Sequence, residues 1–119
     1  MPSDLLRPIR GGTVLSMAVY PEKAAPGRPL TTAQVGTEGL EGDRRKKRPV
    51  HLVGRENDPD STRANFFLDV SDVDLQRLVG EEVHVGRVVL RFTEVPKNCP
   101  GVYADVVRAG VVNVGDALS

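Results

Sequence analysis

The amino-acid sequence predicts a mostly β chain, folded as a closed mixed β-barrel with one or two short helices. Short Val- and Leu-rich segments recur between Gly- and Pro-rich turn signals along nearly the whole length. Only the stretch 71–80 carries helix capping and helical apolar spacing. About seven or eight short strands would expose sheet edges unless the sheet closed on itself.

Taken in order, Thr13 to Tyr20 is apolar and β-branched-rich, with Leu15, Met17 and Val19 on one face. Pro21 to Pro29 holds three prolines and a glycine and reads as a loop. Leu30 to Val35 is a second strand, closed by Gly36. Thr37 to Arg48 lacks apolar periodicity and reads as a loop. Pro49 to Val53 is a short apolar strand, followed by a polar loop from Gly54 to Thr62. Arg63 to Val70 alternates, with Phe66, Leu68 and Val70 on one face and Asn65, Phe67 and Asp69 on the other.

Ser71-Asp72-Val73-Asp74 then matches a capping-box pattern, and Gly80 supplies a stop. Val73, Leu75, Leu78 and Val79 give the intervening helix of about eight residues its apolar face. Glu82 to Val85 and Val88 to Val95 flank Gly86-Arg87, which suits a type II′ hairpin turn. Two further apolar stretches lie between Tyr103 and Val114, broken by Gly110, and Gly115-Asp116 forms a terminal turn.

With 119 residues, the chain is read as one domain spanning 1–119. Three Phe, two Tyr and no Trp leave the core to Val and Leu. One cysteine excludes an intrachain disulfide and gives no support to an oxidising compartment. No apolar run approaches a bilayer span and the N-terminus lacks a signal-peptide core, so the expectation is a soluble, cytoplasmic protein.

Sixteen basic residues balance sixteen acidic ones. Five of the positives form one run, Arg44-Arg45-Lys46-Lys47-Arg48, and removing those five leaves eleven basic against sixteen acidic. Such a run reads either as a solvated loop or as a site for a local anion such as phosphate.

Candidate chemistry concentrates at Cys99, in the segment Val95-Pro96-Lys97-Asn98-Cys99-Pro100-Gly101. A thiolate is a soft nucleophile and metal ligand, and a Lys97 ammonium folded toward the sulfur would favour it. A lone cysteine is also often a small buried hydrophobe. Asp43 reads equally as a turn residue or a catalytic carboxylate. His51 and His84 lie mid-strand without a second ligand at metal spacing and read as ordinary strand residues. Asn65 is unfavourable in a strand, which points to a hydrogen-bonding role.

Three segments in order resemble the MOSC domain, the C-terminal module of molybdenum-cofactor sulfurases. They are Gly39-Leu40-Glu41-Gly42-Asp43-Arg44, then Arg63-Ala64-Asn65-Phe66-Phe67, then Cys99 followed by Gly110-Val111-Val112-Asn113-Val114-Gly115-Asp116. The resemblance runs from about Thr13 to the C-terminus.

It implies a closed barrel like the small barrel domain of pyruvate kinase. It also implies that Cys99 carries sulfur as a persulfide, or ligates molybdenum in a molybdenum-pterin cofactor. Arg44, Arg63 and Lys97 would face the pterin phosphate, with the Asn65 and Asn98 amides fixing its orientation. The implied partners are a cysteine desulfurase, which would hold the pyridoxal phosphate, or a molybdoenzyme, as sulfur donor or acceptor.

A second reading is a non-catalytic barrel module that binds an anionic partner, such as nucleic acid or phosphate, through Arg44 to Arg48. Scarce aromatics leave little stacking platform for single strands.

Overall fold

The computed structural model describes residues 12–119. It is mostly β with a single short helix among those residues. The strands are β1 (Val14–Val19), β2 (Arg28–Leu30), β3 (Thr32–Gly36), β4 (Gly39–Leu40), β5 (Val50–Val53), β6 (Phe66–Leu68), β7 (Glu82–Val85), β8 (Val88–Glu94), β9 (Val102–Arg108) and β10 (Gly110–Asn113). Helix α1 (Asp72–Gln76) lies between β6 and β7.

Seven strands form one curled sheet in the order β2-β1-β6-β5-β9-β8-β7, and three form a second in the order β10-β3-β4. Pairing is mixed: β5 and β6 run parallel, while every other pair is antiparallel.

The expected closed barrel is corrected to a strongly curled half-barrel. The two edges of the large sheet never form a ladder with each other, and each is blunted differently. Edge strand β2 is three residues long with Pro29 at its centre, which has no N–H to donate. The chain then bends at Thr31 and leaves for the small sheet as β3.

The other edge, β7, is covered by the chain's own end. His84 N donates to Ser119 O at 2.8 Å and Ser119 N returns the bond to His84 O at 3.0 Å. The same C-terminal segment reaches β1, where Val14 N donates to Asp116 O at 2.9 Å. Individual bonds therefore span the gap that a strand ladder would have closed.

The core is aliphatic, as the composition requires. Val14, Met17, Val19, Val35, Leu52, Phe66, Leu68, Leu90 and Phe92 are all essentially inaccessible to water. At the level of elements, β1 runs Val14–Val19 and a bulge between Val14 and Ser16 breaks its alternation. Leu15 is 48% exposed, so it does not share a face with Met17 and Val19 as the alternation predicts.

The loop expected for 21–29 yields its last two residues to β2, and Gly39–Leu40 pair with β3 inside the expected 37–48 loop. The Gly86 turn behaves as expected. Gly86 has φ +58° while Arg87 stays out of the positive region, as a type II′ turn demands.

Helix α1 is five residues long, shorter than its pattern suggests. Of its expected apolar face, Leu75 is buried and Leu78 packs partly against the core, whereas Val73 is 54% exposed. Ser71 caps it, accepting from Asp74 N at 3.1 Å. Ser71→Ala is expected to destabilise the fold by about 1 kcal/mol, the usual cost of a lost N-cap. A urea midpoint unchanged from wild type would contradict that role.

No helix among the described residues is long and apolar enough to cross a membrane.

Candidate functional site

The backbone places Cys99 on a turn between β8 and β9. The thiol is exposed. Lys97 and Asn98 beside it are also exposed, while Pro96 and Gly101 at the two ends are buried. Residues 96–100 make no backbone–backbone hydrogen bond among the described residues, so other groups must hold the turn.

Three contacts hold it. His51 Nε2 lies 2.7 Å from Pro100 O. Gln76 at the end of α1 donates to Gly101 O at 3.3 Å. Gly101, with φ +76°, presses against the backbone of Leu52 and Val53 in β5.

His51 and Tyr103 face each other across the β5–β9 ladder. Their rings lie 5.0 Å apart and are tilted by 54°. The Arg48 guanidinium also sits over the Tyr103 ring, 5.7 Å from its centroid, fixed by two 2.9 Å bonds to Glu94. The Tyr103 hydroxyl lies near the Cys99 thiol. Burial first, then the charge of Cys99, holds the hydroxyl above the usual phenol pKa, opposed by the Arg48 guanidinium. Tyr103 is thus a protonated donor at neutral pH.

His51 is 7% exposed. Burial is the main effect lowering its pKa below the usual imidazole value, opposed by the Pro100 and Arg63 carbonyls. The ring is therefore neutral at pH 7. Because Pro100 O can only accept, Nε2 carries the ring's hydrogen.

Behind His51 lies a buried polar network. Asn65 is wholly buried. Its Oδ1 accepts from His51 N at 3.0 Å and Lys46 Nζ at 3.3 Å. Its Nδ2 donates to Ala18 O at 3.2 Å and Asp43 Oδ2 at 3.1 Å. Asp43 also accepts from Tyr20 N at 2.8 Å and pairs with Lys46 at 2.9 Å. Two of the segments singled out in the sequence, around Asp43 and Asn65, thus meet in one network that reaches the Cys99 turn through His51.

Arg63 does not point at the sulfur. Its guanidinium donates to the carbonyls of Ala25 at 2.7 Å, Lys23 at 3.0 Å and Glu22 at 3.3 Å. It also stacks 4.4 Å above the Tyr20 ring. It forms one wall of a separate cleft of about 470 Å³, with Pro26, Pro29, Pro59 and Phe67. Arg44 is half-buried, and its backbone N–H donates to Tyr20 O at 3.3 Å.

Within the basic run, Arg45 pairs with Glu38, Lys46 with Asp43 and Arg48 with Glu94. Three of the five cations are thereby neutralised locally, and the run does not present a continuous positive surface.

Sequence reasoning missed His51, Tyr103 and Lys46. His51 alternates with the inward Val50 and Leu52, which marks it as outward-facing. Only its cover by the Cys99 turn, a contact between residues 49 positions apart, makes it buried.

Comparison with solved structures shows the architectural class. YuaD from Bacillus subtilis matches at 13% identity and TM-score 0.73, over 90% of this chain and 93% of that one. YiiM from Geobacillus stearothermophilus matches at 15% identity and TM-score 0.71, over 90% of this chain and 73% of that one. A structure described as a hypothetical protein matches at 15% identity and TM-score 0.69, over 92% of this chain and 67% of that one. YuaD and YiiM are MOSC-domain proteins, so the fold is MOSC-like. At these identities the likeness speaks for the fold alone. No family model and no curated protein sequence matches the chain.

Proposed function

We propose that this MOSC-like domain carries sulfur on Cys99, for transfer to a metal centre held by a partner protein. The observation that carries the reading is the exposed thiol at the tip of a turn whose base is pinned by His51, Gln76 and Gly101. Exposure admits a donor, and the pinned base holds the sulfur beside the Tyr103 hydroxyl.

In the capture step the Cys99 thiolate attacks the outer sulfur of a donor persulfide. The new Sγ–S bond forms as the donor's S–S bond breaks, and the donor leaves as a thiolate that takes up the proton. In delivery, a second thiol attacks Cys99 Sγ and expels the outer sulfur as hydrosulfide, leaving a mixed disulfide. Tyr103 O–H can stabilise sulfur anions at either stage by hydrogen bonding.

Two of the residues named for a molybdenum pterin are committed elsewhere. Asn65 has both ends of its amide engaged inside the fold. Arg63 spends its guanidinium on three loop carbonyls. Neither fits a role in holding that group.

The purified chain, incubated with glutathione persulfide, is expected to gain one sulfur atom by mass spectrometry, whereas Cys99→Ser gains none. Equal sulfur uptake by the two proteins would remove the reading.

A further inference from the structure

A buried imidazole needs a reason, because an aliphatic side chain would fill the same space without desolvating two ring nitrogens. His51 is the one histidine in the described core; His84 is exposed on the β7 edge. The ring touches both halves of the sulfur site. Its Nε2–H meets the carbonyl of Pro100, the residue directly after Cys99, at 2.7 Å. Its ring centroid lies 5.0 Å from that of Tyr103, whose hydroxyl lies near the Cys99 thiol.

Pro100 has no N–H, and residues 96–100 make no backbone bond of their own among the described residues. The turn therefore depends on outside donors for its shape. His51 is itself fixed from behind, because its backbone N–H donates to Asn65 Oδ1 at 3.0 Å and its carbonyl accepts from Asn65 N at 2.9 Å.

We infer that His51 is a positioning residue for Cys99: its Nε2–H on the Pro100 carbonyl sets where the sulfur stands relative to the Tyr103 hydroxyl. The inference rests on the sulfur-carrier reading for its catalytic consequence, although the positioning itself is measurable without it. His51 acts through the turn and exchanges no proton with the sulfur.

Two substitutions separate the donor from the ring. His51→Gln places an amide N–H near the position of Nε2 and removes the aromatic face. His51→Phe keeps an aromatic face toward Tyr103 and removes the donor. Two readouts are taken on each folded variant: persulfide loading from glutathione persulfide, and the carbonyl carbon-13 chemical shift of Pro100, which reports the hydrogen bond that this carbonyl accepts. Alkylation by iodoacetamide, which needs exposure rather than orientation, serves as the control.

His51→Phe is expected to move the Pro100 carbonyl shift upfield, the effect of one lost hydrogen bond. Its loading rate at saturating donor should fall about tenfold through misplacement of the nucleophile. His51→Gln should load within about twofold of wild type and leave the Pro100 shift in place, since it keeps the hydrogen bond. Alkylation should be unchanged in all three proteins.

An unchanged Pro100 shift in His51→Phe, or equal loss of loading in both variants, overturns the inference. A Pro100 shift that responds as expected, together with a wild-type chain that never loads sulfur, would instead overturn the carrier reading and leave the positioning in place.

Discussion

Gly101→Ala is expected to abolish most of the protein's stability. A methyl group added at Gly101 would stand 1.9 Å from Leu52 O, 2.9 Å from Leu52 C and 3.0 Å from Val53 Cα. All three are backbone atoms of β5, so no side chain can rotate away. Nor can β5 retreat, because it is the central strand of the large sheet, parallel to β6 on one side and antiparallel to β9 on the other.

The φ of +76° adds a second cost for any L side chain. The left-handed conformation contributes about 1–2 kcal/mol and overpacking about 1–3 kcal/mol or more. Together these take a large share of the roughly 5–15 kcal/mol that holds a domain folded. Gly80→Ala is the matched control. Its φ is +93°, but an added methyl meets nothing within 4 Å, so only the conformational cost of about 1–2 kcal/mol applies. Equilibrium urea denaturation reads both. A Gly101→Ala protein no less stable than Gly80→Ala would show that the turn does not press on β5.

What the sequence made legible follows the range of the forces involved. The Gly86-Arg87 hairpin and the Ser71 cap are set by residues within a few positions of one another, and each stands where its local pattern put it. The helix ends at Gln76, short of the Gly80 stop. The failure of closure was not legible. It depends on Pro29 at one edge and on Ser119 reaching His84 at the other, both of which are long-range outcomes.

The same division runs through the site. Asn65 announced itself as an unfavourable residue in an expected strand; it stands just before β6, and its four hydrogen bonds give its role. His51 and Tyr103 announced nothing. A histidine between Val50 and Leu52 is unremarkable until a turn some fifty residues later folds over it, with the 2.7 Å contact to Pro100 as the result. The run from Arg44 to Arg48 misled for a related reason: charge is visible in sequence, but the partners Glu38, Asp43 and Glu94 that cancel it are not.

Asn65→Leu should cost about 3 kcal/mol or more. Leucine keeps asparagine's branched outline but is larger, so some overpacking adds to the chemical loss. The buried N–H of His51 loses its acceptor, Ala18 O and Asp43 Oδ2 each lose a donor, and Lys46 loses one of two partners. Each orphaned buried group carries about 1–3 kcal/mol, and they do not add in full because Lys46 keeps its 2.9 Å pair with Asp43.

Asn65→Asp sharpens the argument, because it keeps the shape and one acceptor while replacing the N–H₂ with an oxygen. That oxygen would face the Asp43 carboxylate and the Ala18 carbonyl, so the new carboxyl is better protonated in the folded state than in the unfolded one. A group whose folded pKa is raised contributes stability below its unfolded pKa and loses it as pH rises through the folded pKa. The stability deficit of Asn65→Asp relative to wild type should therefore be large at pH 7 and shrink on acidification, while that of Asn65→Leu stays flat. Parallel pH profiles for the two variants would mean that the Asn65 amide does not donate to Asp43, and that the network behind His51 is wired differently.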